Sequence, residues 1–461
     1  MLEVKSPYDS AIVREIQEKD KKAAEAALSI AHALFKDQKN WLKPHQRIAI
    51  VKAAAEIMQT RFEDLAEIAT REGGKPIQDT EAEVKRAINT VQIAAEEIGN
   101  LHGQEIPMGL TEASEHRLAF TLREPIGVVL SISAFNHPLN LVAHQVITAV
   151  ATGCPVIVKP AQLTPLSCIA FTDILTEAGL PDGWCQTMVC SDEVSEFMVT
   201  DKRIAFLSFI GSAKVGWYLR SKLAPGTRCV LEHGGAAPVI VAQDANMESM
   251  IPSLIKGGFY HAGQVCVSVQ RIFVDEKIVR EVVERLARNA EELVLGDPLD
   301  QKTQVGPVIS PKEVDRIAEW VKEAVESGAE LVCGGKKTSH NFYSPTILLN
   351  PPLDAKVSIQ EIFRPVICVY SYTDQDKAID IANDLEMHFQ AAVFTQNIDN
   401  ALYCIKRLNA TAVMVNEHTA FRVDWMPFGG RDASGLGMGG IKYTMKDMTR
   451  LKLAVFKSNS I

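Results

Sequence analysis

Short apolar segments alternate with helical patterns from residue 125 onward, and this alternation restricts the possible folds more than any other feature of the sequence. Runs of Val, Ile and Leu that end at a polar residue are typical of strands buried on both faces. In the first block the pattern predicts strands at 127–132, 155–159, 186–189 and 204–210, with helices at 138–151 and 165–178. This order is typical of a parallel, doubly wound α/β sheet.

A second block with the same alternation begins after residue 235. Its predicted strands lie at 239–241, 271–274, 366–370, 391–394 and 411–415, and its predicted helices at 250–261, 278–293, 312–326, 375–385 and 398–408. The chain has 461 residues, about three times the usual domain length, so more than one lobe is expected. Two α/β lobes that meet near residues 232–235 are therefore the simplest interpretation.

Two regions outside these blocks have different patterns. Residues 20–100 repeat apolar side chains at helical spacing, which predicts a helical region interrupted near Pro44 and at Gly73 and Gly74. Residues 101–124 contain several glycines and prolines followed by an alternating segment, which predicts a strand pair or a projecting arm.

Composition and charge argue against several classes of protein. The net charge of −9 argues against a nucleic-acid-binding surface, and no apolar run reaches the length of a membrane span. The amino terminus lacks the basic and apolar regions of a signal peptide. The nine cysteines form no close cluster with metal-ligand spacing, and an odd, scattered set is typical of reduced thiols. We therefore expect a cytoplasmic protein with no metal site, no nucleic-acid partner and no membrane partner.

Four short motifs place reactive residues beside permissive ones: Ser133-Ala134-Phe135-Asn136-His137-Pro138, Leu231-Glu232-His233-Gly234-Gly235, Gly263-Gln264-Val265-Cys266 and Pro427-Phe428-Gly429-Gly430. Taken singly, a free cysteine is usually a small buried apolar residue, and an Asn before a proline is usually a turn or capping residue. Glu232 follows two apolar residues and precedes two glycines, which favours the end of a strand at a cleft.

Taken together and in this order, the four motifs resemble those of the aldehyde dehydrogenase superfamily, and the resemblance covers nearly the whole chain. It implies an α/β fold with two doubly wound parallel-sheet lobes and an oligomerisation arm. A cofactor-binding domain would comprise residues 1–103 and 125–231, and a catalytic domain residues 232–430. The arm and the C-terminal tail would be residues 104–124 and 431–461, and a homodimer or homotetramer is expected.

The resemblance also assigns catalytic roles. Cys266 would be the nucleophile that adds to an aldehyde carbonyl, and hydride loss from the adduct would leave a thioester. Glu232 would be the general base for the water that hydrolyses this thioester. The side-chain amide of Asn136 and the backbone N–H of Cys266 would stabilise the negative oxygen of the adduct.

The cofactor expected is NAD or NADP. The turn from Gly211 to Gly216 follows a predicted strand and opens a helix, but its spacing is not the usual dinucleotide fingerprint. The resemblance makes it the phosphate site and implies a set of cofactor residues: Ser133, Phe135, Lys159, Gln162, Gly211, Ser212, Gly216, Glu361 and Phe363. Gln162 stands where a glutamate is common, and because an amide does not repel a 2′-phosphate, both cofactors stay open.

Polar residues mark the expected substrate side. His137, Asn140, Leu141 and His144 share one face of the predicted helix, and His261 lies five residues before Cys266. Each histidine alone is usually a structural residue. With Arg422, which can bind an anionic or hydroxylated tail, they favour a small polar aldehyde, and His137, His144 and Arg422 are the predicted substrate-binding residues.

Within the superfamily the motifs look nearest to a lactaldehyde and phosphonoacetaldehyde dehydrogenase-like branch, with departures at Ile210, His233, Arg364 and Gly439. The expected function is NAD(P)-dependent oxidation of a small hydroxylated or anionic aldehyde, with a lactaldehyde-like substrate favoured. Two alternatives remain open at this stage. One is a semialdehyde dehydrogenase that passes its acyl group to coenzyme A, and the other is a non-catalytic protein that retains the fold.

Overall fold

The computed structural model describes residues 1–339 and 341–460, and it confirms the two α/β lobes. Within this part of the chain, the first lobe contains a six-stranded sheet in the spatial order Gly435–Leu436, Arg228–Glu232, Ile204–Ile210, Val128–Ile132, Val156–Lys159 and Cys185–Thr187. Neighbouring strands are parallel, except that Gly435–Leu436 runs antiparallel to Arg228–Glu232. The strand order reverses at Val128–Ile132, and open α/β sheets bind ligands at the carboxyl ends of the strands at such a point.

Helices cover both faces of this sheet because successive side chains of a strand point to opposite sides. Val129 packs into one apolar cluster, whereas Val128 and Leu130 pack into another. The helices that supply these clusters are Lys21–Lys36, Pro44–Thr60, Phe62–Gly73, Ile77–Glu97, Asn140–Thr152, Leu166–Glu177, Asp192–Val199, Ala213–Ser221 and Ile441–Asp447. Asp20 caps the first of them by accepting a hydrogen bond from the backbone N–H of Ala23.

The second lobe contains, among the described residues, a seven-stranded sheet in the order Glu330–Cys333, Thr346–Leu349, Val366–Tyr372, Arg271–Asp275, Pro238–Val241, Gln390–Phe394 and Ala412–Val415. The first two of these strands are not predicted from the sequence. Glu330–Cys333 is a short antiparallel edge strand whose first residues are exposed, so it lacks the apolar run of a central strand. Thr346–Leu349 is fully buried but only four residues long, and prolines flank it.

Two apolar clusters also flank the second sheet, because Val239 and Val241 face one side and Ile240 faces the other. The helices of this lobe are Met247–Phe259, Val279–Glu291, Pro311–Glu326, Lys356–Ile359, Gln375–Asn383 and Ile398–Arg407. Asn246 caps the first of them. Most predicted helix bounds lie within three residues of these, and the predicted helix at 250–261 ends earlier, at Phe259.

The predicted arm forms an antiparallel sheet from three segments, Glu105–Ile106, Arg117–Pro125 and Thr449–Lys457. Its outer strand exposes a run of apolar side chains, among them Leu451 and Phe456. The end of the chain also contributes to the first lobe, since Ile441 and Met445 are buried in its core.

Smaller elements complete the described chain. Two-stranded pairs join Leu2–Lys5 to Ile12–Ile16, Lys337–Ser339 to Phe342–Tyr343, and Met387–His388 to Arg431–Asp432. Single 3₁₀ turns lie at Gln38–Asn40, Ile98–Asn100, Glu112–Ser114 and Tyr260–Gly263. None of the described helices has both the length and the hydropathy that crossing a membrane requires.

Candidate active site

A tight turn places Cys266 in the cleft between the lobes. After the helix Met247–Phe259, the residues His261, Ala262 and Gly263 all have positive φ, at 49°, 53° and 68°. A Cβ atom at Gly263 would lie 2.3 Å from the carbonyl oxygen of Arg364, so only glycine fits there. The backbone therefore reverses sharply just before the cysteine, as the Ala-Gly segment predicts. Strain of this kind is characteristic of functional sites.

The predicted nucleophile and base lie side by side. Cys266 Sγ is 3.8 Å from Glu232 Oε1, and Glu232 ends the strand Arg228–Glu232. Burial, with the nearby Glu232 carboxylate, raises the pKa of the Cys266 thiol well above its usual range, and burial also raises the pKa of Glu232. The resting pair is thus a thiol beside a carboxylate of increased basicity, which is the natural acceptor for the thiol proton.

Asn136 is fixed from both sides. Its side-chain Nδ2 donates a hydrogen bond of 2.9 Å to the backbone oxygen of Gln264, two residues before Cys266. Its own backbone oxygen accepts a bond of 3.1 Å from Lys75 Nζ. Lys75 is fully buried and also pairs with Glu83, which accepts bonds from the backbone N–H groups of residues 139 and 140. The Asn136 amide therefore points toward the cysteine loop from a rigid base.

Sequence reasoning did not identify Gln264 as a functional residue, although it lies inside the cysteine motif. Its buried side chain donates to the backbone oxygens of His261 and Pro307 and accepts from the backbone N–H of Ile309. A buried amide with three backbone partners holds a loop in one conformation. Its position two residues before a candidate nucleophile is the only signal that the sequence gives.

Several buried polar atoms near the carboxyl edge of the first sheet have no hydrogen-bond partner among the described residues. Ser133 Oγ and Glu361 Oε1 are two of them. Glu361 packs so tightly that a Cβ atom at Gly234 would lie 1.5 Å from Oε1, and burial raises its pKa to about 7. Phe135 and Phe363 meet edge to face with ring centroids 5.9 Å apart. Unpaired groups beside an aromatic wall fit a ligand that has hydroxyl and amide groups.

The predicted phosphate turn leads from Ile204–Ile210 into the helix Ala213–Ser221. Ser212 lies at the helix start and makes no side-chain cap, so the first N–H groups of the helix are available to a phosphate. Gly216 has a different reason to be glycine, because a Cβ atom there would lie 1.9 Å from Cε1 of His233. The His233 ring donates through Nδ1 to the backbone oxygen of Gly211, at 3.0 Å. His233, which departs from the family pattern, thus connects the phosphate turn to the end of the strand that contains Glu232.

Lys159 and Gln162 follow the neighbouring strand Val156–Lys159. Lys159 Nζ lies 3.4 Å from Asp192 Oδ1. Gln162 Nε2 donates to Glu18 Oε1 at 3.0 Å and to the backbone oxygen of Cys190 at 3.2 Å. Both N–H groups of the Gln162 amide are therefore used within the protein, and no described residue donates a hydrogen bond to its side-chain oxygen.

The predicted substrate histidines separate into two groups. His137 Nε2 lies 3.2 Å from the hydroxyl of Tyr260, and its ring meets that of His261 edge to face, with centroids 6.2 Å apart. Burial, together with the Lys75 ammonium, holds the pKa values of both histidines well below their usual range. Both rings are consequently neutral hydrogen-bonding groups rather than cations.

His144 belongs to a separate cluster around Asp424, which the sequence did not single out. His144 Nε2 lies 2.8 Å from Asp424 Oδ1, and because a carboxylate only accepts, Nε2 carries the proton. Arg86 donates two bonds to the same carboxylate, at 2.8 and 3.2 Å, and Asn140 Nδ2 lies 3.3 Å away. Burial lowers the pKa of His144 to about 4. Although burial opposes it, the bonds from His144 and Arg86 hold the pKa of Asp424 far below its usual range.

Arg422 lies between this cluster and the reactive pair. Its guanidinium carbon stacks 3.6 Å from the centroid of the Phe428 ring, and its Nε is buried without a hydrogen-bond partner. Among residues 1–339 and 341–460, it makes neither an ion pair nor a hydrogen bond. Burial lowers its pKa, but an arginine stays charged at neutral pH. Glu232 and Asp424 act on this buried cation electrostatically but do not contact it, so its hydrogen-bond donors are available to an anionic ligand.

Two other departures from the family pattern have clear surroundings. Arg364 is buried and pairs with Glu313 Oε2 at 2.6 Å, and burial lowers its pKa to about 10. A Cβ atom at Gly439 would lie 2.6 Å from the backbone oxygen of Phe428, so a larger residue would displace that loop. A Cβ atom at Gly439 would also lie 4.0 Å from Glu232 Oε2, so this departure from the family pattern borders the candidate base.

Known proteins resemble this chain along nearly its full length. The aldehyde dehydrogenase family model matches residues 1–454. The 3-sulfolactaldehyde dehydrogenase of Priestia megaterium is 39% identical over 456 residues, which cover 98% of this chain and 94% of that protein. The lactaldehyde dehydrogenase of Methanocaldococcus jannaschii is 36% identical over 459 residues, which cover 98% and 97%.

A solved structure gives the same answer. The glyceraldehyde-3-phosphate dehydrogenase GapN of Methanocaldococcus jannaschii, in complex with NADP, superimposes with a TM-score of 0.94 at 36% identity and covers 99% of both chains. The unpaired polar atoms at the sheet edge and the open helix start fit the dinucleotide that such enzymes use. The chain therefore belongs to the aldehyde dehydrogenase family and is an NAD(P)-dependent enzyme.

Proposed function

We propose that the enzyme oxidises a small lactaldehyde-like aldehyde with an anionic tail to the corresponding acid. The observation that carries this proposal is Arg422, a buried guanidinium that stacks on Phe428 and has no anionic partner among the described residues. A buried charge is costly unless it is paired, so a site that keeps one unpaired is built for a ligand of opposite charge. The neutral His137 ring and the Tyr260 hydroxyl suit a hydroxyl group on the same substrate, while His144 lies beside Arg422 in the Asp424 cluster.

In the proposed mechanism Glu232 accepts the proton of Cys266, and the thiolate adds to the aldehyde carbon. Asn136 Nδ2 and the backbone N–H of Cys266 donate to the oxygen that becomes negative in this adduct. The bound cofactor supplies the acceptor for the hydride that leaves the adduct. The acyl group then remains on Cys266 as a thioester. Glu232 releases the thiol proton to solvent and then removes a proton from the water that attacks the thioester, and the acid is released as the Cys266 thiolate leaves and is protonated again.

The relatives support the same class of substrate. One is named a 3-sulfolactaldehyde dehydrogenase and another a lactaldehyde dehydrogenase, and both match 98% of this chain. A 2-hydroxyaldehyde with a sulfonate joins the two features that the cleft provides, which are hydrogen-bonding histidines on one wall and a cation on the other.

The surroundings of Glu232 argue against the coenzyme A alternative. A carboxylate of raised basicity 3.8 Å from the acyl-bearing sulfur favours attack by water.

We also propose that the arm mediates assembly of a homodimer or homotetramer, because its strand Thr449–Lys457 exposes apolar side chains at alternate positions. The nine free thiols support a reducing, cytoplasmic compartment.

The test is the initial rate of nicotinamide reduction with neutral, hydroxylated and anionic aldehydes, measured with and without coenzyme A. We expect anionic 2-hydroxyaldehydes to have the highest kcat/KM, and Cys266→Ala to abolish turnover. Arg422→Met should lower kcat/KM for anionic aldehydes by about 100-fold, since charge-assisted hydrogen bonds contribute about 1.5–3 kcal/mol each. Neutral aldehydes should lose much less, because they keep all their contacts and are affected only through the charge that Arg422 exerts on Glu232 and Cys266. Equal losses on both classes would overturn the role of Arg422, and a requirement for coenzyme A would favour the alternative.

A further inference from the structure

The subsite that would receive the substrate tail is formed by Arg86, Asp424 and Arg422, with His144 and Asn140 beside them. We call this group the tail subsite. Asp424 is its centre: it is 2% exposed and accepts bonds from Arg86, His144 and Asn140. Such a carboxylate is not a general acid or base, because every described neighbour donates to it and stabilises its ionised form.

The charges of the tail subsite can be counted from these contacts. Arg86 binds Asp424 through two nitrogens, so this buried pair is close to neutral as a unit. His144 donates to Asp424 as a neutral ring, since its pKa lies far below neutral pH. Arg422 makes no ion-pair contact with a described carboxylate, although the nearby Glu232 and Asp424 carboxylates act on it electrostatically. The tail subsite therefore has one positive charge to offer.

The charged groups that surround the tail subsite do not add a second positive charge. Lys75 is paired with Glu83 in the base of the cleft, and His137 and His261 are neutral. Tyr260 also stays neutral because burial raises its pKa. On the side of the reaction centre stand Glu232 and Cys266, and an ionised Glu232 adds negative charge. A second negative charge on the substrate would meet Asp424 or Glu232 rather than a cation.

We infer that the tail subsite accepts a single negative charge and selects against a second, so that sulfonated or carboxylated hydroxyaldehydes are preferred to phosphorylated ones. This inference rests on the proposed function, because it concerns the tail of the same substrate. Sulfonate and phosphate tails are both tetrahedral, but the phosphate monoester is one oxygen atom longer. This difference in length does not change with pH, so the pH dependence isolates the effect of charge. A sulfonate has one negative charge, and a phosphate monoester approaches two above its second pKa of about 6.

The native enzyme provides the first test. kcat/KM is measured for 2-hydroxy-3-sulfopropanal and for the 3-phosphate of 2,3-dihydroxypropanal, at pH values on both sides of about 6. The ratio of the two values is used, because the effect of Glu232 and Cys266 ionisation on the chemical step is common to both substrates. The negative charge that Glu232 gains on ionisation disfavours the dianion and changes the ratio in the same direction. We expect the ratio to rise at least about tenfold in favour of the sulfonate as the phosphate becomes a dianion.

Asp424→Asn provides the second test. This change removes the negative charge that neutralises Arg86 while keeping the shape of the side chain, so a second cation becomes available to the tail. The sulfonate-to-phosphate ratio at the higher pH should fall by at least about tenfold. The matched control is Asp380→Asn, which removes an exposed carboxylate paired with Arg407 and should leave the ratio unchanged. If Asp424→Asn does not fold, the pH dependence of the native enzyme decides alone.

The outcomes separate this inference from the proposed function. A ratio that stays constant with pH, or phosphorylated aldehydes that are preferred as dianions, would overturn the single-charge inference while the role of Arg422 stands. A preference for neutral aldehydes over every anionic one would overturn both. The inference is supported if the sulfonate-to-phosphate ratio of kcat/KM rises with pH in the native enzyme and does not rise in Asp424→Asn. That result would establish that the Arg86–Asp424 pair sets the charge of the accepted tail.

Discussion

The substrate end and the ribose end of the cleft differ in whether their cations, Arg422 and Lys159, contact a carboxylate of the protein. At the substrate end, Arg422 is buried and has no anionic partner among the described residues. At the ribose end, Lys159 already lies 3.4 Å from Asp192, and Glu18 adds a further carboxylate beside Gln162. One end can therefore receive an anion at little electrostatic cost, whereas at the other Lys159 already has an acidic neighbour and a second carboxylate lies beside Gln162.

This difference bears on the choice between NAD and NADP. Gln162 uses both amide N–H groups on Glu18 and Cys190, so it presents an oxygen, which accepts hydrogen bonds. A ribose hydroxyl can donate to that oxygen, but a 2′-phosphate cannot, because it has only acceptors at neutral pH. The Gln162 amide thus accepts a hydrogen bond from the ribose, as the glutamate that is common at this position would. The contrast between the two ends predicts an enzyme that selects for an anionic tail and against a phosphorylated cofactor.

Glu232 lies between the substrate end and the ribose end. Its loss should therefore lower turnover by the same factor for every aldehyde tail and for either cofactor. Glu232→Gln should lower kcat by roughly 10²–10⁴-fold, the usual contribution of general base catalysis. The reason is that the thioester on Cys266, 3.8 Å away, loses its base for hydrolysis. Because Glu232 is also the proposed acceptor of the Cys266 proton, the first turnover should slow as well. A burst of reduced cofactor before the steady state would show that hydrolysis depends on Glu232 more than thiolate formation does. If the loss of kcat depended on the tail of the aldehyde or on the choice of cofactor, Glu232 would not act independently of the two ends, and the comparison between them would be wrong.

The pH profile sharpens the same prediction. Glu232 acts as a base only when deprotonated, and burial raises its pKa above the usual value of about 4.3. Turnover of the native enzyme should therefore rise with pH through a range above that of an exposed glutamate. This limb should be missing in Glu232→Gln, and its persistence there would assign the titration to another group.

Glu18→Gln tests the ribose end. Removing this carboxylate takes away the negative charge nearest to Gln162 and lets the amide rotate, so kcat/KM with NADP should rise about tenfold. The value with NAD should change little. Glu15→Gln is the matched control, because Glu15 is exposed in the preceding strand, Ile12–Ile16, and has no bond to Gln162. A native preference for NADP, or no response to Glu18→Gln, would contradict the contrast between the ends.

The two ends also differ in how far the sequence could predict them. Most of the central strands follow from local apolar runs, whereas Glu330–Cys333 and Thr346–Leu349 do not. Cys266 and Glu232 lie in short motifs whose family resemblance indicates that they act as a pair. The contacts that set specificity leave no such pattern. Glu18 and Gln162 are 144 positions apart, and Arg86 and Asp424 are 338 apart. Only the folded chain brings these charges together, so a count of residues in the motifs could not reveal which cations are already paired.

The smallest effect is expected from Asp192→Asn. Asp192 lies close to Lys159, but its side chain is 94% exposed, so water and salt screen its charge. kcat/KM with NADP should rise only about two- to threefold, and this gain should disappear between about 0.05 M and 0.5 M salt. The gain from Glu18→Gln should survive better, because Glu18 is partly buried. Glu193→Gln is the control, since Glu193 lies in the same helical turn but pairs with Lys21. An equal gain from this control would mean that the negative charge at the start of the helix, and not the pairing of Lys159, determines kcat/KM with NADP.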